Sequence, residues 1–287
     1  MSTEMKIGAV IPAMGSKRTL AQTIVEELGE HSAYWDPFGG SLAVPLAKTE
    51  SSHETIGDLH GDLTNLIWVL QDPEEADRLH ARLSRAICCD ELHEAGKMCC
   101  RGQWNDNAVS VERAYWYFIM SWMGQNGRSL TKGCERTSFA VRWTPNGGHG
   151  GKRFASAVDS IPAWHCRLRR MTVMRKCGFD MINSIDDHPR VAIYCDPPYV
   201  EKGSSYVHDF SETDHSRLAL ALGRFQAARV VISYYDHPRL DDLYRGFTKR
   251  CVARTKNLSV NSGRGSKAQR APEILLLNGP SFAECPV

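Results

Sequence analysis

A short apolar run that ends in an acidic proline turn is the feature that most constrains how this chain folds. Residues 190–195 (RVAIYC) are typical of a buried strand, and Asp196-Pro197-Pro198-Tyr199 follows them directly. Further short apolar runs alternate along the chain with helical patterns and glycine turns, at residues 54–58, 229–234 and 273–277. Strands alternating with helices are typical of a layered α/β sheet. We therefore predict the α/β class.

Apolar residues at helical spacing predict the helices that cover this sheet. The predicted helices span residues 16–28, 41–48, 63–85, 111–122 and 214–224, and two short segments, 6–12 and 33–38, flank the first of them. Residues 127–154 lose this periodicity and become rich in Gly, Asn, Thr and basic residues. The simplest organisation is an α/β domain built from residues 1–68 and 171–287, interrupted by a mostly helical, basic insertion over residues 69–170.

Composition argues against a membrane-spanning or secreted chain. The mean hydropathy is −0.36. The longest apolar-looking run, residues 114–124, is shorter than the roughly 20 residues that cross a bilayer. The amino terminus, MSTEMKIGAV, lacks the charged and then apolar pattern of a signal peptide. We therefore expect a cytoplasmic protein whose ten cysteines are reduced.

Two cysteine doublets, Cys88-Cys89 and Cys99-Cys100, flank His93 and raise the possibility of a zinc site. Their spacing matches no CxxC pair, and adjacent cysteines seldom bind one metal with good geometry. We therefore predict no metal and interpret these residues as thiols on a helical stretch.

Basic residues are concentrated in two segments although the whole chain carries a formal charge of only +2. Residues 101–176 carry a net charge of +9 and residues 245–270 a net charge of +8, which leaves the remainder strongly acidic. A basic surface on an acidic body is typical of proteins that bind nucleic acid. Chance clustering of surface charge is the alternative interpretation.

The turn Asp196-Pro197-Pro198-Tyr199 suits a planar base that carries an amino group. Ligands of open α/β sheets bind at the carboxyl ends of the strands, where this turn is expected. Asp196 and the Pro197 carbonyl can each accept a hydrogen bond from the amino group, while Tyr199 stacks on the ring. Drawing the amino nitrogen toward tetrahedral geometry would localise its lone pair for attack on a methyl sulfonium. A purely structural Pro-Pro turn is the alternative.

Three features earlier in the chain are typical of a nucleotide-type cofactor site. The turn Asp36-Pro37-Phe38-Gly39-Gly40 lies between a predicted strand and a helix, where glycines allow a ligand to approach the backbone. Asp58 ends the next predicted strand, a usual position for an acid that binds ribose hydroxyls. Lys17 can pair with a carboxylate, either the ligand's or that of Asp36, although a solvated lysine is the alternative.

In this order the motifs resemble those of the Dam-like adenine-specific DNA methyltransferases, which use S-adenosylmethionine. The shared order is Gly15-Ser16-Lys17, the DPFGGS turn at 36–41, Asp58 followed by Asp62 and Asn65, Phe179-Asp180, the DPPY turn at 196–199, Asp236, and a closing strand at 273–278. Residues 114–129 are similar to the aromatic helix and Asn-Gly turn of that family's recognition domain. The resemblance implies a Rossmann-like class I methyltransferase sheet with an inserted, mostly helical target-recognition domain.

The resemblance also implies roles for individual residues. Asp196, Pro197, Pro198 and Tyr199 would hold an adenine flipped out of duplex DNA. The implied cofactor-binding residues are Ala13, Lys17, Asp36, Phe38, Gly39, Gly40, Asp58, Asp180 and Asp196. The chain departs from the family at Ala13, where an aromatic residue is frequent, and at His60, where asparagine is common. The preferred DNA contacts, chosen because they lie in loop-like sequence, are Arg128, Arg142, Lys152 and Arg153.

The implied reaction is direct methyl transfer to the adenine amino group, without a metal or a covalent enzyme intermediate. A cytosine-ring methylase would need a nucleophilic cysteine after a proline, whereas Cys285-Pro286 has the reverse order. An RNA base methyltransferase remains an alternative because the same four-residue site serves amino groups in RNA, and a catalytically silent DNA-binding module is another. The expected partner is double-stranded DNA, and a cognate restriction nuclease in a bacterial or phage-infected cell stays open.

Overall fold

The computed structural model of the chain describes residues 8–13, 15–101, 104, 108–125, 130, 136–141, 149–200, 210–253 and 272–283. The strands of this part are β1 Ala33–Asp36, β2 His53–Gly57, β3 Thr172–Met174, β4 Val191–Cys195, β5 Arg229–Tyr235, β6 Thr248–Ala253 and β7 Glu273–Leu277. Its α-helices are α1 Ala21–Leu28, α2 Ala43–Ala47, α3 Gly61–Gln71, α4 Pro73–Leu83, α5 Asp90–Cys100, α6 Val111–Met123, α7 Gly150–Asp159, α8 Ile161–Leu168, α9 Gly178–Asn183, α10 Glu212–Gly223 and α11 Arg239–Leu243.

The chain packs as two compact units. The first unit comprises Met1–Arg18, Gly40–Ala47 and Asp58–Arg175, and the second comprises Thr19–Gly39, Lys48–Gly57 and Lys176–Val287. This grouping reflects packing and assigns no ligand to either unit. The division into a cofactor-binding domain and a recognition insertion at residues 69–170 therefore stays a prediction.

The second unit is built on a mostly parallel sheet. Its strand order is β2-β1-β4-β5-β7-β6. Strands β2, β1, β4 and β5 run parallel, whereas β7 runs antiparallel to both of its neighbours. All five residues of β4 are buried, which explains its continuous apolar sequence, because a central parallel strand is covered on both faces. The predicted α/β class is confirmed.

Helices pack on both faces of this sheet. Alternate residues of β4 and β5, including Ile193 and Ile232, form one hydrophobic core with side chains of α9, α10 and α11. Helix α1 packs against β4 and β5, and its buried residues Ile24 and Leu28 lie outside that core. The carboxyl ends of β1, β4 and β5 therefore come together at one edge of a rigid, doubly covered sheet.

The first unit is mostly helical and is organised around α6. Ten of the thirteen residues of α6 are buried, so this helix is apolar on nearly all sides. Its Phe118 is fully buried and contacts the rings of Trp122, Phe154 and Trp164 at centroid distances of 6.0 to 6.4 Å. Helix α3 packs against α6, α4 and α8, and α5 packs against α6.

Several predicted boundaries are wrong in detail. The predicted helix 63–85 is two helices, α3 and α4, because Asp72 caps a new helix with Pro73 at its first position. The predicted helix 16–28 begins as a 3₁₀ turn at Lys17–Thr19, and α1 follows. Of the segment 6–12, the described residues 8–12 form no strand. Throughout the described part of the chain, every helix is too short or too polar to cross a membrane.

Candidate active site

Asp196 lies directly after β4 and is held by the neighbouring strand. The register that pairs Cys195 with Ile232 brings the next residues of the two strands, Asp196 and Ser233, side by side. The Ser233 hydroxyl donates a hydrogen bond to Asp196 Oδ1 at 2.8 Å. Asp196 is partly exposed, whereas Ser233 is fully buried. The Asp196 carboxylate is thus partly exposed at the edge of the sheet, while the Ser233 hydroxyl that holds it is buried.

Tyr199 is fixed by contacts with two strands. Its hydroxyl donates to Glu273 Oε1 at 3.0 Å, and its ring meets the ring of Tyr235 edge-on at a centroid distance of 4.5 Å. Tyr235 and Glu273 are direct partners in the β5–β7 ladder. Burial, together with the charges of Asp196 and Glu273, raises the pKa of Tyr199 well above its ordinary value, so the phenol stays a neutral donor.

Asp36 ends β1, the other neighbour of β4, and orders the turn that follows it. Its carboxylate accepts from the Tyr34 hydroxyl at 3.2 Å and from the Phe38 backbone N–H at 3.3 Å. The next amide, that of Gly39, donates to the Gly57 carbonyl at the end of β2 at 2.8 Å. The Asp-Pro-Phe-Gly turn is therefore tied to the ends of both β1 and β2.

The start of α9 packs closely on this turn. A Cβ atom on Gly178 would lie 2.9 Å from Phe38 Cζ and 3.0 Å from the Pro37 carbonyl oxygen, so only glycine allows this approach. Asp180 lies exposed in the first turn of α9.

An aromatic cluster of Phe38, Phe179 and Phe210 adjoins the same turn. The rings of Phe179 and Phe210 stack at 5.8 Å, and Phe38 meets Phe210 edge-on at 6.0 Å. Sequence reasoning missed Phe210, because a single phenylalanine before a helix carries no signal of its own.

Asp58, in the first unit, accepts a hydrogen bond from the backbone of Gly40 in the glycine turn. Its two carboxylate oxygens accept from the backbone N–H of Gly40 at 3.0 Å and from that of His60 at 2.8 Å. Gly40 has a φ of +50°, a conformation in which glycine avoids a steric cost. His60 caps α3 by accepting from the Leu63 N–H, so the residue that departs from the family keeps a polar structural role.

The Gly15-Ser16-Lys17 segment lies against the same turn in the first unit. The hydroxyls of Ser16 and Ser41 are 2.8 Å apart, and the Ser16 N–H donates to the Ala13 carbonyl at 3.1 Å. Lys17 is only 4% exposed and donates from Nζ to the Gly15 carbonyl at 2.7 Å. The alternative of a solvated lysine is therefore wrong.

Each unit thus brings together some of the predicted site residues. In the second unit, Asp36 and Asp196 follow adjacent strands of the sheet. In the first unit, Ser16 and Asp58 both contact the glycine turn, Ser16 at Ser41 and Asp58 at Gly40. Such carboxylates and glycine turns at strand ends are the arrangement by which open α/β sheets bind nucleotide-type cofactors.

Comparison with known proteins agrees with this geometry. Residues 14–122 match the family described as D12 class N6 adenine-specific DNA methyltransferases. The chain is similar to this family over a segment that makes up less than half of its length. It is 24% identical to the Retron Ec67 DNA adenine methylase of Escherichia coli over 281 residues, which are 95% of this chain and 92% of the relative. It is also 24% identical to the DNA adenine methylase of Vibrio cholerae over 279 residues, 94% of this chain and 95% of the relative.

These comparisons agree with the predicted family and enzyme class, the adenine-specific DNA methyltransferases. The matched segment contains Lys17, the DPFGGS turn and Asp58, and it ends within α6. The DPPY turn lies beyond it. The roles of individual residues stay predictions.

Of the four predicted DNA contacts, two lie in a helix and two lie outside the described residues. Lys152 and Arg153 do not lie in a loop, as predicted, but in the first turn of α7. The helix starts early because His149 caps it by accepting from the Gly151 N–H at 3.1 Å, which offsets the two initial glycines. The Arg153 guanidinium lies over the Trp122 ring at 6.0 Å. Arg128 and Arg142 lie outside the described residues.

The cysteines of the described residues make no metal centre. No group of three or more His, Cys, Asp or Glu side chains in that part of the chain has an arrangement that could hold a metal ion. His93 is fully buried on α5, next to the Phe139 ring. Beside the candidate site, burial raises the pKa of the Cys195 thiol well above its ordinary value, so this thiol is a poor nucleophile.

Proposed function

We propose that this methyltransferase transfers the methyl group of S-adenosylmethionine to the exocyclic amino nitrogen of an adenine that is flipped out of double-stranded DNA at a specific sequence. The observation that carries the proposal is the Asp196-Pro197-Pro198-Tyr199 turn at the carboxyl end of β4, with Asp196 held by Ser233 and Tyr199 held by Glu273. A planar amino base fits a carboxylate, a carbonyl acceptor and an anchored aromatic ring.

The chemistry of the residues fits a cofactor with a carboxylate, a ribose and an adenine. Asp58 already accepts two amide hydrogen bonds, and a carboxylate has about four acceptor positions, so it retains capacity for a ribose diol. Lys17 supplies a cation for the methionine carboxylate. In the first unit we assign Ala13, Lys17, Gly40 and Asp58 to the cofactor. In the second unit we assign Asp36, Phe38, Gly39, Asp180 and Asp196.

S-adenosylmethionine, when bound, supplies a methyl group on a positively charged sulfur. The chain's own part is to bind and orient the acceptor base. Asp196 and the Pro197 carbonyl accept the amino hydrogens, which localises the nitrogen lone pair, and Tyr199 stacks on the ring. Transfer would form one N–C bond as the cofactor's S–C bond breaks, and the amino nitrogen would release one proton to solvent. No covalent bond to the enzyme is needed, since positioning and electrostatics lower the barrier.

We assign the DNA contacts on the basis of charge. Base flipping costs a few kcal/mol of unstacking and unpairing, which contacts along the duplex must offset. We assign phosphate contacts to Arg128, Arg142, Lys152 and Arg153, of which Lys152 is exposed at the start of α7. The bacterial relatives support a cytoplasmic enzyme in a bacterial or phage-infected cell, in which a cognate restriction nuclease would be a partner.

The decisive experiment is methyl transfer from labelled S-adenosylmethionine to unmethylated duplex DNA, with RNA of matched sequence in parallel, followed by nucleoside analysis. We expect label in N6-methyladenine from DNA only. Asp196→Ala should abolish transfer, whereas Asp186→Ala, a matched change at an exposed loop residue, should leave it unchanged. Melting temperatures of both variants close to that of wild type separate loss of chemistry from loss of fold.

The alternatives give different outcomes in the same experiment. Label only in RNA would mean that the proposed chemistry is right but that the substrate is an RNA base. A catalytically silent DNA-binding module would bind DNA but show no thermal shift at saturating S-adenosylmethionine. Cofactor binding without label in either nucleic acid would contradict adenine as the acceptor.

A further inference from the structure

Ser233, on strand β5 next to β4, donates a hydrogen bond to the candidate catalytic carboxylate and lies deep in the sheet. It is 0% exposed, and its hydroxyl donates to Asp196 Oδ1 at 2.8 Å. The Tyr194 hydroxyl, 2% exposed on β4, lies 3.0 Å from the Ser233 hydroxyl. Tyr194 and Asp196 are two positions apart and so lie toward the same face, where Ser233 meets both of them.

We propose that Tyr194 and Ser233 form a directional hydrogen-bond relay that positions the Asp196 carboxylate for methyl transfer. The inference rests on the proposed function and adds two positioning residues to it. Neither residue belongs to the Asp-Pro-Pro-Tyr turn, and neither contacts the base or the cofactor in this proposal.

Proton counting fixes the direction of the relay. A serine hydroxyl carries one proton, and Ser233 gives it to Asp196, so its oxygen must accept the proton of Tyr194. Burial, reinforced by the nearby charge of Asp196, raises the pKa of Tyr194 well above its ordinary value. The phenol therefore keeps its proton and donates at neutral pH.

The relay has a consequence for the reacting geometry. A carboxylate held through one oxygen cannot rotate freely about its Cβ–Cγ bond, so the second oxygen also takes a defined position. Donation from Tyr194 polarises the Ser233 hydroxyl and strengthens its bond to Asp196, because linked hydrogen bonds reinforce one another. A misplacement of about 1 Å in a reacting constellation can cost on the order of 100-fold in rate.

A purely structural role predicts a different pattern of defects. Two buried hydroxyls that only satisfy each other would affect folding, and the rate at saturating substrates would not depend on them. A positioning role predicts a slower methyl-transfer step in folded enzyme, with cofactor and DNA affinity retained. It also predicts that Tyr194 acts only through Ser233.

The test measures single-turnover methyl transfer to duplex DNA at saturating cofactor, together with the dissociation constants of both substrates and the melting temperature. Ser233→Ala should slow transfer on the order of 10- to 100-fold, with both dissociation constants within about twofold of wild type. Ser233→Thr, which keeps the hydroxyl, should restore most of the rate. Ser121→Ala is the matched control, because Ser121 on α6 is equally buried and its hydroxyl has no partner within the described residues.

Tyr194→Phe should slow transfer several-fold, and the double variant Ser233→Ala/Tyr194→Phe should be no slower than Ser233→Ala alone. The double variant also removes both buried hydroxyls, so it keeps the test valid if Ser233→Ala alone folds poorly. Wild-type rates in Ser233→Ala, or losses that multiply in the double variant, would overturn the relay. Absence of transfer by the wild-type enzyme would instead overturn the proposed function.

Discussion

Asp58 shows how a single residue can serve both a ligand and the turn beside it. Its carboxylate accepts from the backbone amides of Gly40 and His60, so it shapes the glycine turn before any cofactor is bound. Asp58→Asn should weaken S-adenosylmethionine binding by about 10- to 100-fold, because an asparagine side chain has one acceptor oxygen and cannot serve both amides. This loss corresponds to about 1–3 kcal/mol for an unsatisfied partner. Isothermal calorimetry tests it, with Asp186→Asn as the control, and unchanged affinity would exclude Asp58 from the cofactor site.

Glu27 is a buried acid of the second unit with several hydrogen-bond donors around it. It is 0% exposed and accepts from Arg229, Arg250, Ser281 and the Phe282 N–H. Burial raises the pKa of this carboxyl, but the hydrogen bonds and the Arg250 charge outweigh burial, so the pKa lies below its ordinary value of 4.5. The group therefore stabilises the fold above pH 4.5, and the contribution is lost as the pH falls through the lowered value.

Glu27→Gln should accordingly lower the free energy of unfolding by about 3 kcal/mol at pH 7, since it leaves two partly buried guanidinium groups without their anionic partner. The difference from wild type should shrink as the pH is lowered below 4.5. Urea unfolding at a series of pH values measures both effects. A difference that does not change with pH would show that the carboxylate charge is not the source of the stability.

At the scale of elements, two polar residues that follow Asp58, Asp62 and Asn65, fix the start of α6. Asn65 accepts from the Ser110 N–H at 2.8 Å and donates to the Ser110 carbonyl at 2.9 Å, and Asp62 pairs with Arg113 at 2.6 Å. Asn65→Ala should lower the free energy of unfolding by about 1–3 kcal/mol, because it leaves two partly buried backbone groups of the helix cap unpaired. Asn65→Asp should cost at least as much, since it places a buried carboxylate oxygen against the Ser110 carbonyl oxygen. A smaller loss for Asn65→Asp than for Asn65→Ala in a thermal-melting comparison would contradict a role for the hydrogen bond that Asn65 donates.

Sequence patterns predict an element well when the element is buried and regular. Strands β4, β5 and β7 agree with prediction to within one residue at each end, because they are apolar runs in the middle of the sheet. The pattern missed β3, which has only three residues, and β6 (TKRCVA), whose polar sequence fits the edge of the sheet. It also missed α7, whose sequence begins with two glycines and whose cap, His149, is an uncommon one.

The same contrast holds for the candidate site. Asp36, Asp58 and Asp196 were predictable because an acid after a strand has a known place in an α/β sheet. Ser233 and Glu273 were not, since their partners lie 37 and 74 residues away in sequence. Only strand register brings such side chains together, and register between distant strands is not visible in local patterns.

At the scale of the whole molecule, charge is distributed unevenly along the chain. Residues 101–176 carry +9 and residues 245–270 carry +8, although the total is only +2. Binding to duplex DNA releases condensed counterions, so the logarithm of the affinity falls with the logarithm of salt concentration, by about 0.9 per neutralised phosphate. The slope of that dependence therefore counts the cations that contact phosphate.

Neutralising predicted contacts should reduce the slope in proportion to their number. The triple variant Arg128→Ala/Arg142→Ala/Lys152→Ala should weaken DNA binding and lower the magnitude of the slope by up to about three. Arg153 belongs in a separate variant, because its guanidinium also lies over the Trp122 ring and its loss changes packing. Arg78→Ala is the matched control, since Arg78 is exposed on α4 and pairs with Glu75 on the same helix. Fluorescence anisotropy with a labelled duplex at a series of salt concentrations measures the slopes, and an unchanged slope in the triple variant would move the phosphate contacts to the second basic segment, residues 245–270.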